Sequence, residues 1–589
     1  MSNIPLGTSS EDLPTRSSPV VTASDTNTAG LLFYSERGYD AVVAVENGST
    51  IQEIYGNYKS AYNGHYLINA FFNNLQGTPG TLYCKRMVAS DAVSSTVSLM
   101  DTTPVTPVAA WKFNAGYLGN EDKGAWGNQL WVLPIASSRD SSQLSVNAAL
   151  AATTITPISV APFDIGDWIL IADGVNSEYA KITAIDENLG TLTIAAGLAH
   201  AFAAATPTNI SVYDITLKVY KKDSVTGNVD LIETWSNLSP EPAHPRYFIK
   251  IVNDSYIGSK FIYGTDLKTS IAAQTDFPAV YADAFTNAVH LTTGADGTAL
   301  NTVQMAAQLT SFDNYPIRYL SNAESFSETV WEDGEQYCNV RGDTEWVGCP
   351  DWSSAQTYDA LRVWGNKRRK SRKVYAFNNG MWYYVDDPIS KDPNPVKRVP
   401  NVGHMLGYTI WIKNVRGVHK VPAGRRQTPV GIRSLANEIL DKTQLTNLAD
   451  IGVNMQTTVG TEFPVRSAVT PSKLPEYKFE NALSMTIYFK TSYEQSFEIE
   501  ENEPNTAALF NRIRLGMTSF ALDFYRSSSN GGSEGGFADG SFSDVVIIQV
   551  DDKNNPLQKV LAGEVRAYMW FRAPAPAYKI RIGVGLLYT

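Results

Sequence analysis

Six histidines, three cysteines, one serine in a G-x-S-x-G frame and two acidic runs are the residues of this chain that could carry chemistry. His65, His200, His244, His290, His404 and His419 are scattered, with no HExxH and no His-x-x-x-His pair to put two zinc ligands on one helix face. Ser533 sits in Gly531-Gly532-Ser533-Glu534-Gly535-Gly536. A nucleophile elbow needs a strand before the serine and a helix after it, and here both flanks are Gly, Ser and Asn. The same tract lacks the GK[ST] ending of a phosphate cradle, so it reads as a flexible loop. The runs Glu498-Ile499-Glu500-Glu501-Asn502-Glu503 and Asp551-Asp552 do not follow calcium-loop spacing. The first reads as an acidic surface leading into a helix start, where negative charge meets the positive end of the helix dipole. Cys84, Cys338 and Cys349 are odd in number and read as free thiols in a reducing compartment. The expectation is therefore no catalytic, cofactor-binding or metal residue, no cofactor, and no enzyme.

The elements around these residues are more telling. Phe510, Ile513, Met517, Phe520 and Phe524 recur at spacings of 3, 4, 3 and 4, which puts all five on one face of a helix. A Gly/Ser tract follows (527–540), then a strand at 545–550, the turn Asp551-Asp552-Lys553-Asn554-Asn555-Pro556, and two more extended segments. In the last of these Ile580, Ile582, Val584 and Leu586 alternate with Lys579, Arg581, Gly583 and Gly585, the period of a strand. A strand at a chain end is free to pair with another chain. Upstream, strands are predicted at 31–34 and 41–45 and a helix at 61–75. Residues 155–200 read as a β meander with strands at 168–172, 179–185 and 191–195, and strands at 215–220 and 231–235 flank a turn. Helices are predicted at 299–310, 354–364 and 432–448. This alternation makes the fold class α/β or α+β, multidomain.

Composition agrees with a folded chain: 43% hydrophobic and 18% charged over 589 residues, enough for about three or four domains. A net charge of −11 excludes nucleic-acid binding as the main role. The basic run Lys367-Arg368-Arg369-Lys370-Ser371-Arg372-Lys373 has no interleaved aromatics and reads as a solvated helix end or a subunit contact. No apolar run approaches the roughly 20 residues of a membrane span, and the first residues lack the pattern of a secretory signal. The expected organisation is an extended arm at 1–28, a discontinuous mixed α/β body at 29–136 and 212–400, an inserted, surface-protruding β domain at 137–211, and a C-terminal domain at 401–589 ending in an arm strand at 578–589.

Several motifs stand in a recognisable succession. Ile54-Tyr55-Gly56-Asn57, Phe71-Phe72-Asn73-Asn74 and Leu82-Tyr83-Cys84-Lys85-Arg86-Met87-Val88 come first, followed by Gly124-Ala125-Trp126-Gly127-Asn128-Gln129-Leu130. Glu233-Thr234-Trp235-Ser236-Asn237-Leu238-Ser239 then precedes Ile251-Val252-Asn253-Asp254-Ser255 and Leu291-Thr292-Thr293-Gly294-Ala295-Asp296-Gly297-Thr298. Arg416-Gly417-Val418-His419-Lys420-Val421-Pro422-Ala423-Gly424 and the Asn-Asn-Pro turn close the series. In this order, across roughly the whole chain, they resemble the contractile tail sheath proteins of bacteriophages and related injection machines. The resemblance implies a structural subunit of a virion tail, assembled in the host cytoplasm. It would stack with itself in rings, hexameric by family resemblance, around a tail tube, and contract to drive the tube through the host envelope. The implied partners are further copies, the tube protein, and baseplate and terminator or neck proteins, with no nucleic acid and no membrane insertion. Val20, Val21, Ile580, Ile582, Val584 and Leu586 are the expected strand-exchange residues. Since the family's C-terminal domain faces inward, Arg512, Arg514 and Arg526 are candidates for the tube contact or plain solvated charges. The alternative reading is a carbohydrate-binding or hydrolytic virion protein, suggested by 12 Trp, 30 Tyr and the β insertion.

Overall fold

The strand Thr28–Phe33 is buried along its whole length, as a central strand of a sheet covered on both faces must be. The structure, a computed structural model, describes residues 21–224, 226–268, 270–526 and 536–577, and shows a mixed α/β, multidomain chain. Thr28–Phe33 is third in a six-stranded sheet ordered Val42–Val45, Thr81–Arg86, Thr28–Phe33, Tyr319–Asn322, Glu345–Gly348, Ala376–Asn378. All pairings are parallel except that of the Val42–Val45 edge. Helices α1 (Gly64–Asn74), α2 (Glu328–Arg341), α3 (Tyr358–Arg368) and α4 (Val402–Arg416) belong to this unit, whose apolar core draws on residues 29–92 and 300–487. α4 meets α1 through two glycines one turn apart. A Cβ on Gly403 would stand 2.3 Å from the Leu67 carbonyl oxygen, and one on Gly407 2.2 Å from that of Phe71, so only glycine allows the two backbones to approach this closely.

Between the two halves of that unit the chain builds a second core on antiparallel sheets. One is ordered Val229–Leu238, Asp214–Lys222, Leu130–Ser137, Val289–His290, and the other has Ala109–Tyr117 between Ile262–Asp266 and Thr96–Met100. Trp111 stacks on Phe248 at 3.8 Å in its centre.

Within it sits a small β barrel. Its strands run Ser141–Gln143, Asn209–Val212, Trp168–Ala172, Ser177–Asp186, Thr191–Ile194, Thr154–Ile155. The first and last segments meet, since Ser145 N donates to the Thr156 carbonyl (2.8 Å) and Ile158 N to that of Gln143 (2.7 Å). Closure leaves no free edge, and Ile169, Ile171, Ile182, Leu192 and Ile210 fill a separate interior. The meander expected at 155–200 supplies three of the six strands.

The helix expected at 432–448 is corrected. Ser434–Leu435 pairs as a short strand with Trp382–Asp386, and the helix is Lys442–Asp450, started by a capping box between Asp441 and Gln444. After the Asn-Asn-Pro turn comes a helical turn, Leu557–Leu561, and the first of the two expected extended segments follows it as the strand Tyr568–Phe571.

Candidate functional site

The C-terminal unit is built on α5 (Glu480–Phe497) and α6 (Ala507–Arg526). Of the stripe predicted on α6, Phe510, Ile513, Met517 and Phe524 are buried and Phe520 is half-buried, with Leu509 and Ala521 buried beside them, against α5 and an antiparallel ribbon of Val546–Gln549 with Tyr568–Phe571. Phe489 of α5 lies at the centre, stacked on Phe537 (5.6 Å) and edge-on to Phe524 (5.1 Å).

The Asn-Asn-Pro turn has a structural task. Asn554 Nδ2 donates to the carbonyls of Gln549 (3.0 Å) and Arg566 (2.6 Å), and Asn555 exchanges bonds with the backbone of Arg566 in both directions (2.9 and 2.6 Å). These two side chains close the base of the ribbon where no ladder can.

The ribbon has two strands only, so among the described residues both of its edges lack a ladder partner. Val546 is buried and Phe571 half-buried on the inner face, while Ile547 and its partner Trp570 are 58% and 50% exposed on the outer one. Beside Tyr568–Phe571 runs an open groove of about 1160 Å³, with Phe489, Tyr493, Leu509 and Met569 in its walls and Glu494, Glu500, Glu501 and Glu503 around it. Asn481 fixes the point where the chain leaves this unit, its Nδ2 donating to the carbonyls of His419 (3.1 Å) and Pro574 (2.7 Å).

Of the expected exchange residues, Val21 lies against this core of its own chain. The segment after it runs along α5, with Thr22 N and Ser24 N each donating to a serine hydroxyl, Ser496 and Ser492, at 2.9 Å. Val20, Ile580, Ile582, Val584 and Leu586 lie outside the described residues, as does Ser533. The three arginines do not form one patch. Arg512 is paired with Glu500 at 2.6 Å, and that bond raises its pKa. Arg514, two residues on and so about 200° round the helix, is exposed and donates to Asn511 Oδ1 (3.0 Å). Arg526 is exposed at the last turn.

The places where an enzyme of this class would hold a ligand are filled by the chain itself. A parallel sheet binds anions at the carboxyl ends of its strands, where the strand order reverses, here between Thr28–Phe33 and Tyr319–Asn322. At that point the Glu324 carboxylate accepts from the N–H groups of Asn63 (2.9 Å) and Gly64 (2.9 Å) at the start of α1, the position a bound phosphate would take. Burial pushes this carboxyl up to about 7. The protonated form thus contributes stability that is complete below the ordinary glutamate pKa and is lost as pH rises through about 7. Stability is expected to fall between about pH 5 and about pH 8, and Glu324→Gln, which cannot ionise, to make that slope shallower by the share of one proton. Urea denaturation at both pH values checks it.

Among the described residues one cluster has metal-ligand types, Asp164, Asp167 and His244, but the Arg139 guanidinium reaches into it, 3.1 Å from Asp164 and 2.6 Å from Asp167. A fixed positive charge there opposes a cation. The basic run at 367–373 is spent internally: Lys367, Lys370 and Arg372 pair with Glu328 (3.1 Å), Glu332 (3.4 Å) and Glu335 (2.7 Å) along α2. Arg368 is buried over the Trp364 ring (4.4 Å). On the barrel, Phe163, Trp168, Phe202 and Tyr213 are buried and Tyr179 half-buried, so this inserted unit offers no fully exposed ring for stacking on a sugar.

No family model and no curated protein matches this sequence. Solved structures give partial backbone matches. The sheath tail protein of Listeria innocua is 10% identical, over 90% of this chain and 90% of that one, with a TM-score of 0.48. The sheath tail protein of Desulfitobacterium hafniense is 10% identical over 92% and 94%, with a TM-score of 0.47. A chain of the anti-feeding prophage baseplate is 13% identical over 50% and 76%, with a TM-score of 0.40. Backbone agreement at this level assigns no role by itself.

Proposed function

We propose that the chain is a structural subunit that polymerises with copies of itself, the sheath subunit of a contractile tail, by strand exchange through its C-terminal unit. The observation that carries this is the two-stranded ribbon, whose edges have no ladder partner among the described residues, beside an apolar, acid-rimmed groove. Residues 578–588 of a second copy fit that site in kind. Ile580, Ile582, Val584 and Leu586 give one apolar face, and Lys579 and Arg581 give two positive charges for Glu494, Glu500, Glu501 and Glu503. Added strands complete the ladder and cover the groove. Val21 and the hydrogen bonds at Thr22 and Ser24 anchor the other arm on α5, so both ends of the described chain leave from one unit. Backbone links of this type hold subunits together while rigid bodies rotate, which is what contraction between two packings of many copies requires. On this reading the place of the protein is a phage tail, in rings around a tube, with the tube protein and the baseplate and neck proteins as partners.

Negative-stain microscopy of the purified protein tests it: tubular polymers are expected, and a chain that stays monomeric at high concentration overturns it. The tube contact has its own test. The combined variant Arg512→Glu, Arg514→Glu, Arg526→Glu is expected to stay folded, because reversals at the exposed Arg514 and Arg526 cost little and Arg512 adds the loss of its ion pair with Glu500, and to lose assembly around tubes through repulsion across the interface. Normal tails carrying all three reversals remove these residues from the tube contact.

A further inference from the structure

Four ionisable side chains are buried where α4, α5 and the parallel sheet meet. Lys413 of α4 donates through Nζ to Glu480 Oε2 of α5 (2.8 Å) and to the carbonyls of Val418 (3.0 Å) and Lys420 (2.7 Å). Glu480 Oε1 accepts from the Ser484 hydroxyl (2.8 Å). Arg318, just before Tyr319–Asn322, donates to the carbonyls of Ser484 (2.7 Å) and Asp343 (3.2 Å). The fourth is Glu345, first residue of Glu345–Gly348. It is fully buried, and neither carboxyl oxygen accepts a hydrogen bond. Three of the four have partners and one has none.

An ionised carboxylate without a donor in such a site is costly, whereas the neutral acid loses far less on burial. The groups facing Glu345 are Glu480 from α5, Arg318 and Tyr319 beside it in the sheet, Lys413 from α4 and Cys338 from α2. We propose that Glu345 carries a proton in this packing, and that its loss is a gate that loosens the seam between the sheet and the C-terminal unit. The carboxylate so formed becomes a competing acceptor for Lys413 and Arg318. Drawing them toward it takes donors from the carbonyls of Val418 and Lys420, which hold the loop after α4 against that helix, and from that of Ser484, which ties the start of α5 to the sheet. Burial, and then the Glu480 charge, hold the Glu345 carboxyl well above the ordinary range, against Arg318 and Lys413. The sign follows: the stability held by the protonated form is present at low pH and is lost as pH rises through the folded value. The gate needs no assembly partner and does not depend on the sheath reading.

Infrared difference spectra of the wild type against Glu345→Gln at about pH 7 test the proton: a carboxylic-acid carbonyl band is expected in the wild type and missing in the variant. A wild type without that band overturns the proposal. Hydrogen exchange at residues 413–420 and 480–484, corrected for intrinsic rates, tests the gate: protection is expected to fall about tenfold per pH unit between the ordinary glutamate pKa and the folded one in the wild type, to level off beyond it, and to stay level throughout in Glu345→Gln. Equal losses in both proteins overturn it. Should the variant not fold, Glu324→Gln decides in its place, because the band left there is free of the Glu324 carboxyl and the loss of protection must be complete where that band bleaches. A band that bleaches without it, or persists up to alkaline unfolding, overturns the gate.

Discussion

Removing residues 579–589 is expected to leave a folded, soluble subunit that no longer polymerises. Among the described residues the buried members of the C-terminal core end at Val550 and the half-buried ones packed on it at Ala573, and Asn481 clamps the chain at Pro574. What the deletion removes is the proposed occupant of a neighbour's ribbon edge. An added strand contributes several ladder hydrogen bonds at about 1 kcal/mol each together with the burial of four apolar side chains at about 1.5–3 kcal/mol each. Summed over a repeating assembly, this is the difference between polymer and monomer. Ile582→Pro removes one donor in the middle of that strand and is expected to act in the same direction. Sedimentation beside circular dichroism checks both. Wild-type-like polymers from the truncated chain show that the segment does not link subunits.

The α6 helix was legible because it has one apolar face and a polar remainder, so five residues carried the period. α4 was not, for the opposite reason: His404, Met405, Leu406, Tyr408, Thr409 and Ile410 are all buried, and a helix covered on every side shows no face. In α5, Ala482, Leu483, Ser484 and Met485 are consecutive and buried, with the same effect. The overcalled helix at 432–448 rested partly on Ile439, which is 97% exposed and so sits on no inner face. Four strands of the barrel are two to four residues long, and of these only Thr191–Ile194 was legible, the other three being too short or too polar to show alternation. At the site, the Asn-Asn-Pro turn was visible as a motif, but its bonds to Arg566 bridge about eleven residues and appear only in three dimensions. The basic run was readable in principle. Glu328, Glu332 and Glu335 stand at helical spacing and offer one face to it, a signal that charge counting alone passes over. Glu324 and Glu345 carry no local signature, because what makes each of them unusual is a distant segment.

The same holds for Arg139, whose loss is expected to uncouple the barrel from the rest of the chain. Its guanidinium bridges Asp167, at the head of the barrel strand Trp168–Ala172, and Asp214, at the start of Asp214–Lys222 in the second core, at 2.6 and 2.9 Å. Both carboxylates are 1% exposed. Arg139→Ala leaves Asp214 buried without its cation and leaves Asp167 with His244 at 3.1 Å, a loss of about 3–5 kcal/mol for a broken buried pair. The barrel closes on itself around a separate interior, so the loss falls on the joint and not on the barrel's own fold. Calorimetry is expected to show two transitions where the wild type shows one, and limited proteolysis to cut first at 138–140 and 213. Acid should reproduce part of this in the wild type. Burial raises the Asp167 carboxyl, but hydrogen bonds from His244 and Arg139 prevail and hold it below the ordinary range. Its contribution is therefore present above the unfolded pKa and lost as pH falls through the folded one. Arg139→Met combined with Asp167→Asn and Asp214→Asn removes the stranded charges and is expected to recover most of the lost stability. A single unshifted transition in Arg139→Ala rejects the bridge as the coupling between barrel and body.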